Sequence, residues 1–164
     1  MKKVVVFTLI VLIMSTLLAG QGNPPGHLTR KGLKSVYVEV MGNALILSLN
    51  YEKMLTDTLG VRVGGMVLPL DEEFGGVGTA MVTGLWGDGN ICLEMGLGVM
   101  ALIGVNTAFL GDDNRSSLFA VTGTIGVRYQ PKRKGLVLRL GFTPFLFSDG
   151  AGPWVGGSIG YSFR

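Results

Sequence analysis

From residue 34 onward the chain alternates apolar and polar positions in segments of about ten residues, punctuated by turn-forming residues. A period of two places successive side chains on opposite faces, which is the signature of β-strands. Eight segments follow it: 34–41, 44–53, 59–68, 77–86, 91–103, 117–130, 136–146 and 154–163. Gly42-Asn43 predicts a two-residue hairpin of the primed kind. That turn would pair Met41 with Ala44, Val40 with Leu45, Val38 with Leu47 and Val36 with Leu49. A bulge within one long strand is the rival reading and would leave seven strands. The even strand numbers of bacterial single-chain barrels favour the hairpin.

The two faces differ in kind. One carries large apolar residues, such as Leu93, Met95, Leu97 and Val99, or Leu138, Leu140 and Phe142. The other carries small, polar or charged residues, and every mid-strand charge falls on it: Glu39, Glu52, Arg62, Glu94, Arg128 and Arg139. A soluble barrel would point bulk inward and charge outward. An arginine facing lipid at mid-membrane costs roughly 2–4 kcal/mol. The pattern therefore predicts an all-β fold, an eight-stranded antiparallel up-and-down transmembrane β-barrel with the apolar face in lipid. Segment 77–86 is the least regular. Its turn, Gly87-Asp88-Gly89-Asn90, would align Trp86 with Ile91 and Thr83 with Glu94, with Val82 and Trp86 outward and Met81 and Leu85 inward.

Short turns are expected at 54–58, 87–90 and 131–135, on the periplasmic side, and outer loops at 42–43, 69–76, 104–116 and 147–153. Tyr51, Trp86, Tyr129, Tyr161 and Phe163 end descending strands and would form an aromatic girdle, with Trp154, Phe119 and Phe142 at the other interface. The terminal strand brings Phe163 next to last, a feature that barrel-insertion machinery reads, although Arg164 departs from a terminal Phe.

Ahead of the barrel, Met1-Lys2-Lys3, an apolar run from Val4 to Leu18, and Ala19-Gly20-Gln21-Gly22 follow the layout of a cleavable secretory signal peptide. The run is short of the roughly twenty residues of a spanning helix. The expected organisation is a signal-peptide helix at 1–22, a flexible periplasmic lead-in at 23–33 and an outer-membrane barrel at 34–164.

Composition adds little chemistry. The 164 residues include 27 glycines without a three-residue period, which excludes collagen, and only 15% are charged. Net charge is +3, but it sits in scattered clusters: Lys2 and Lys3, Arg30 with Lys31 and Lys34, and Lys132 to Lys134. These read as an export signal and solvated turns, and no nucleic-acid partner is expected. Cys92 is the single cysteine, so no intramolecular disulfide or thiolate metal site is expected, and His27, the single histidine, lies before the barrel, which argues against a serine–histidine pair. Asp71-Glu72-Glu73 and Asp112-Asp113 lack a full calcium-ligand spacing. No catalytic residue, metal or cofactor is expected, and the chain reads as a non-enzyme.

Several stretches resemble small outer-membrane β-barrel proteins of the Bacteroidota type. They are Leu47-Ser48-Leu49-Asn50-Tyr51-Glu52, Gly60-Val61-Arg62-Val63-Gly64, Leu93-Glu94-Met95-Gly96-Leu97-Gly98, Val127-Arg128-Tyr129-Gln130-Pro131, Leu140-Gly141-Phe142-Thr143-Pro144 and the run from Gly156 to Phe163. The resemblance implies the fold and a bacterial outer-membrane location, and no activity. The leading expectation is a barrel filled by paired side chains, structural or surface-interacting, with outer-membrane lipids as solvent and a candidate extracellular ligand at loops 69–76 and 104–116. A narrow pore or lipid- or small-molecule-binding transport barrel is the alternative, and a soluble lipocalin-like carrier the third.

Overall fold

The computed structural model describes residues 29–44, 46–69, 74–103, 117–146 and 151–164. The expected signal peptide, loop 104–116 and both acidic loop clusters lie outside the described residues. Among the described residues there are ten strands: β1 (Lys34–Val40), β2 (Leu47–Met54), β3 (Leu59–Pro69), β4 (Phe74–Trp86), β5 (Ile91–Ile103), β6 (Ser117–Tyr129), β7 (Gly135–Phe142), β8 (Phe145–Leu146), β9 (Ala151–Gly152) and β10 (Val155–Phe163).

All pairings are antiparallel, and β1 closes the ring by pairing with β10. Strands β7 and β8 keep one register against β6, so they form a single barrel strand interrupted at Thr143-Pro144. Strands β9 and β10 likewise form one strand, interrupted at Pro153-Trp154. Pro144 and Pro153 fall opposite each other in that register, and neither has an N–H to give the ladder. The fold is thus a closed eight-stranded antiparallel barrel. Turns at 55–58, 87–90 and 130–134 share one end, the turn end, with Lys34 and Phe163.

Alternation decides the two faces. Val36, Val38, Leu49, Val63, Val67, Leu93, Val99, Ile125, Val127, Leu138, Leu140, Ile159 and Tyr161 are exposed on the outside. The residues between them point inward, among them the buried Ser35, Tyr37 and Glu39 on β1. In β4, Met81 and Leu85 are buried and Val82 is exposed. Inside, Gly160 pairs with Tyr37, and a Cβ there would lie 2.2 Å from the Tyr37 Cβ, so only glycine leaves that ring its place.

Three sequence expectations are corrected. The β1–β2 register is two residues off the predicted hairpin: Val40 pairs with Leu47, Val38 with Leu49 and Val36 with Tyr51. Met41, not glycine, takes the left-handed conformation (φ 53°), and Met41 N–H bonds Ile46 O across a wider loop at 2.8 Å. Gly42 serves close approach instead, since a Cβ there would lie 2.0 Å from Glu39 Cδ, and Asn43 is drawn into the barrel mouth. The β4–β5 register shifts the same way, with Trp86 opposite Leu93 and Leu85 opposite Glu94. A shift of two preserves every face, so the inside–outside assignment is untouched. Finally, β3 runs to Pro69 and β4 begins at Phe74, so strands take up both ends of the loop predicted at 69–76.

Residues 29–33, at the end of the lead-in, pack against the barrel. Leu33 is 0% exposed and Arg30 is buried. Gly32 N–H bonds Met54 O, Met54 N–H bonds Leu33 O, and Arg30 N–H bonds Asp57 Oδ1 at 2.6 Å. Arg30 is therefore a buried charge, against the expectation of a solvated turn. Its guanidinium reaches the carbonyls of Gly87 and Gly89 and the Cys92 thiol.

Candidate functional site in the barrel lumen

The lumen is organised in three levels. At the turn end, Leu33, Met54, Leu85 and Cys92 form a buried apolar cluster. At the loop end, Ala44, Val77, Met100, Leu102, Ala120 and Phe145 form a second, with Met66 and Trp154 packed on it. Between them lie Glu39, Glu52, Arg62, Glu94, Arg128 and Arg139, all buried.

These six side chains come from β1, β2, β3, β5, β6 and β7, and they pair across the lumen more than along the wall. Glu52 and Arg62 stand directly opposite on neighbouring strands, yet Glu52 pairs with Arg128 on the far side. Glu52 also accepts a hydrogen bond from Thr83 Oγ1 at 2.5 Å. Glu94 sits at the centre of the set. Arg139 Nε donates to its Oε2 at 2.7 Å, Arg139 Nη2 meets its Oε1, Arg128 Nη1 lies 3.6 Å away and Arg62 Nη1 lies 3.9 Å away. Glu39 is held more loosely, 3.5 Å from Arg139 and 3.9 Å from Arg62. Three carboxylates and three guanidiniums balance, as buried charges must if they are to persist.

Neutral groups tie this cluster to the wall. Tyr37 hydroxyl lies 3.4 Å from Arg62 Nη1, and the Arg139 guanidinium carbon stands 4.9 Å from the Tyr37 ring centroid, a cation–π contact. Asn50 Nδ2 donates to Ser48 Oγ at 2.8 Å and to Glu39 Oε2 at 3.4 Å. Asn43 Nδ2 donates to Thr122 Oγ1 at 2.8 Å and to Gly123 O at 3.0 Å, while its Oδ1 accepts from Arg62. Sequence reasoning did not single out Tyr37, Asn43, Asn50, Thr83 or the Arg30–Leu33 plug. Inward parity was the available signal for Tyr37, Asn50 and Thr83. Asn43 and Arg30 lie outside the alternating segments and carried none.

The cavity lined by Glu39, Glu94, Thr124, Arg139, Thr143 and Ser158 measures about 10 Å³, room for about one water molecule. Among the described residues no three His, Cys, Asp or Glu side chains group as metal ligands. The carboxylates are paired with guanidiniums, and Glu39 and Glu94 border that small cavity.

Aromatic residues divide by end. Tyr51, Tyr129, Tyr161 and Phe163 are exposed on the outside near the turn end. Trp86 is half-buried because its indole folds over Gly84, where a Cβ would lie 2.5 Å from the ring. Trp154 departs from this set: it packs edge-on against Phe145, centroids 6.5 Å apart, beside the interior cluster at the loop end. Phe119 and Phe142 are exposed toward that end.

No protein-family model matches the chain, and no curated protein matches it. Solved structures do. The N-terminal β-barrel domain of Pseudomonas aeruginosa OprF superposes with a TM-score of 0.59 at 11% identity, covering 81% of this chain and 98% of that domain. The Yersinia pestis outer membrane protein Ail, solved in a phospholipid bilayer nanodisc, gives a TM-score of 0.50 at 12% identity, covering 81% of this chain and all of Ail. At such identities the likeness concerns the fold, and that fold is the small eight-stranded β-barrel of the outer-membrane type.

Proposed function

We propose that the chain is a non-conducting, non-enzymatic barrel of the bacterial outer membrane, serving a structural or surface-interaction role. One observation carries the proposal: six paired charges span the lumen between two apolar clusters, and the cavity bordered by Glu39, Glu94 and Arg139 measures about 10 Å³. An ion would have to break that pairing to pass, and an eight-stranded interior is only wide enough for its own side chains. The exposed belt of valine, leucine, isoleucine and phenylalanine supports a lipid environment, since large exposed apolar surfaces on soluble monomers are rare. The ordered motifs that resemble Bacteroidota-type barrels support that kinship, and β10 with Phe163 is the segment we assign to the insertion machinery.

Two measurements test it. Cell fractionation with heat-modifiable gel mobility should recover a compact species in the outer membrane; a soluble protein would overturn the location. Planar-bilayer recording of the reconstituted protein should show a silent barrel; a reproducible unit conductance would overturn the filled lumen.

A further inference from the structure

The ring of strands is closed, but one of its ladders stops short of the loop end. The β2–β3 ladder runs from Met54–Gly60 to Leu49–Gly65 and stops there. Beyond that point β2 continues to Leu47, paired with β1 alone, while β3 continues to Pro69, paired with β4 alone. The seam between them, at the loop end, holds a crevice of about 560 Å³ lined by Val38, Leu47, Ser48, Leu49, Gly65, Met66, Val67 and Val77.

Its lining changes sides of the wall. Val38, Leu47, Leu49 and Val67 belong to the exposed outer belt. Val77 and Met66 belong to the apolar cluster inside the barrel. Gly65 presents no side chain between the outward Val63 and Val67, which deepens the mouth. None of the lining residues is charged, and the one hydroxyl, Ser48 Oγ, already accepts from Asn50. The volume falls within the roughly 300–1,000 Å³ of small-molecule sites.

We infer that this seam binds a hydrocarbon chain of a surrounding membrane lipid, threaded from the outer belt toward Val77 and Met66. The crevice is continuous with the surface that the proposed location puts in lipid, and the side chains that line it carry no charge. A headgroup would remain outside, at the level of the loop end. The site therefore rests on the outer-membrane reading. A second copy of this chain, adding a strand to the free edges of β2 and β3, is the competing occupant.

The test uses the full protein reconstituted in vesicles containing a trace of phospholipid with a photoreactive group at the end of one acyl chain. Adducts mapped by mass spectrometry should concentrate on Leu47–Leu49 and Gly65–Val67, above Ile125 and Val127 on β6. Val67→Trp and Leu47→Trp each enlarge an outward side chain at the mouth and should cut those adducts about tenfold, the effect of one misfit group in an apolar pocket. Leu140→Trp on the outward face of β7 should leave them unchanged, and heat-modifiable mobility verifies that each variant folds. Uniform labelling of the belt would overturn the site while leaving the membrane reading intact. Protein that fails to insert, with no belt labelling, would instead sink the membrane reading. Cross-linked dimers through β2 and β3 would assign the seam to a second copy and overturn the lipid site.

Discussion

Arg128 and Arg139 stand directly opposite each other on β6 and β7, two like charges on one interior face, and Glu94 of β5 pairs with both. Like charges so placed destabilise a sheet unless something lies between them. Glu94 does so and also lies 3.9 Å from Arg62 on β3. Glu94→Gln keeps the shape and removes the charge, leaving three guanidiniums with two carboxylates in a buried lumen. The expected loss is about 3–5 kcal/mol, the usual cost of breaking a buried ion pair. Glu39→Gln should cost less, because its arginine contacts are 3.5 and 3.9 Å. Urea unfolding of the reconstituted protein checks both, and equal losses would refute the central place given to Glu94.

Removing both partners should hurt less than the single losses suggest. Glu94 and Arg139 meet at two points across β6, so each single variant leaves the other ion short of its partner. In a cycle of Glu94→Gln, Arg139→Met and the double variant, the coupling should amount to about 0.5–3 kcal/mol. Additive losses would mean that the pair is held by its neighbours and not by each other.

The plug at the turn end makes a separate prediction. Leu33 precedes β1, yet it packs with Met54, Leu85 and Cys92 inside the barrel. Leu33→Ala should cost about 2–5 kcal/mol, as for other fully buried leucines. Lys31→Ala, exposed two residues earlier, should stay within about 0.5 kcal/mol. Equal unfolding midpoints for the two variants would show that the lead-in is dispensable.

Parity made much of this architecture legible before any coordinates. Arg62 and Glu94 alternate with valine and leucine, and two-residue periodicity alone assigns them to the inside. Register was not legible at two turns. Gly42-Asn43 has the composition of a primed turn, but Gly42 yields to Glu39 and Asn43 bonds Thr122, so Met41 supplies the turn conformation. The pairing of charges was not legible either. Alternation places Glu52 opposite Arg62, whereas barrel closure brings Arg128 from the far wall to Glu52. Arg30 and Leu33 precede the periodic segments, so no pattern announced their burial.

The outer belt can be probed by depth. Leu140 on β7 and Val127 on β6 are cross-strand partners, exposed on the outside and flanked by further exposed apolar residues. Ile91 begins β5 at the turn end, beside the outward Tyr129. In lipid, Leu140→Arg and Val127→Arg should each cost about 2–4 kcal/mol, and Ile91→Arg about 0–1 kcal/mol. In water an exposed arginine would be nearly neutral at all three positions. The folded fraction in lipid vesicles, read by heat-modifiable mobility across a urea series, separates the two cases. A steep dependence on distance from the turn end requires hydrocarbon around the barrel, while three equal and small effects would mean that this surface meets water.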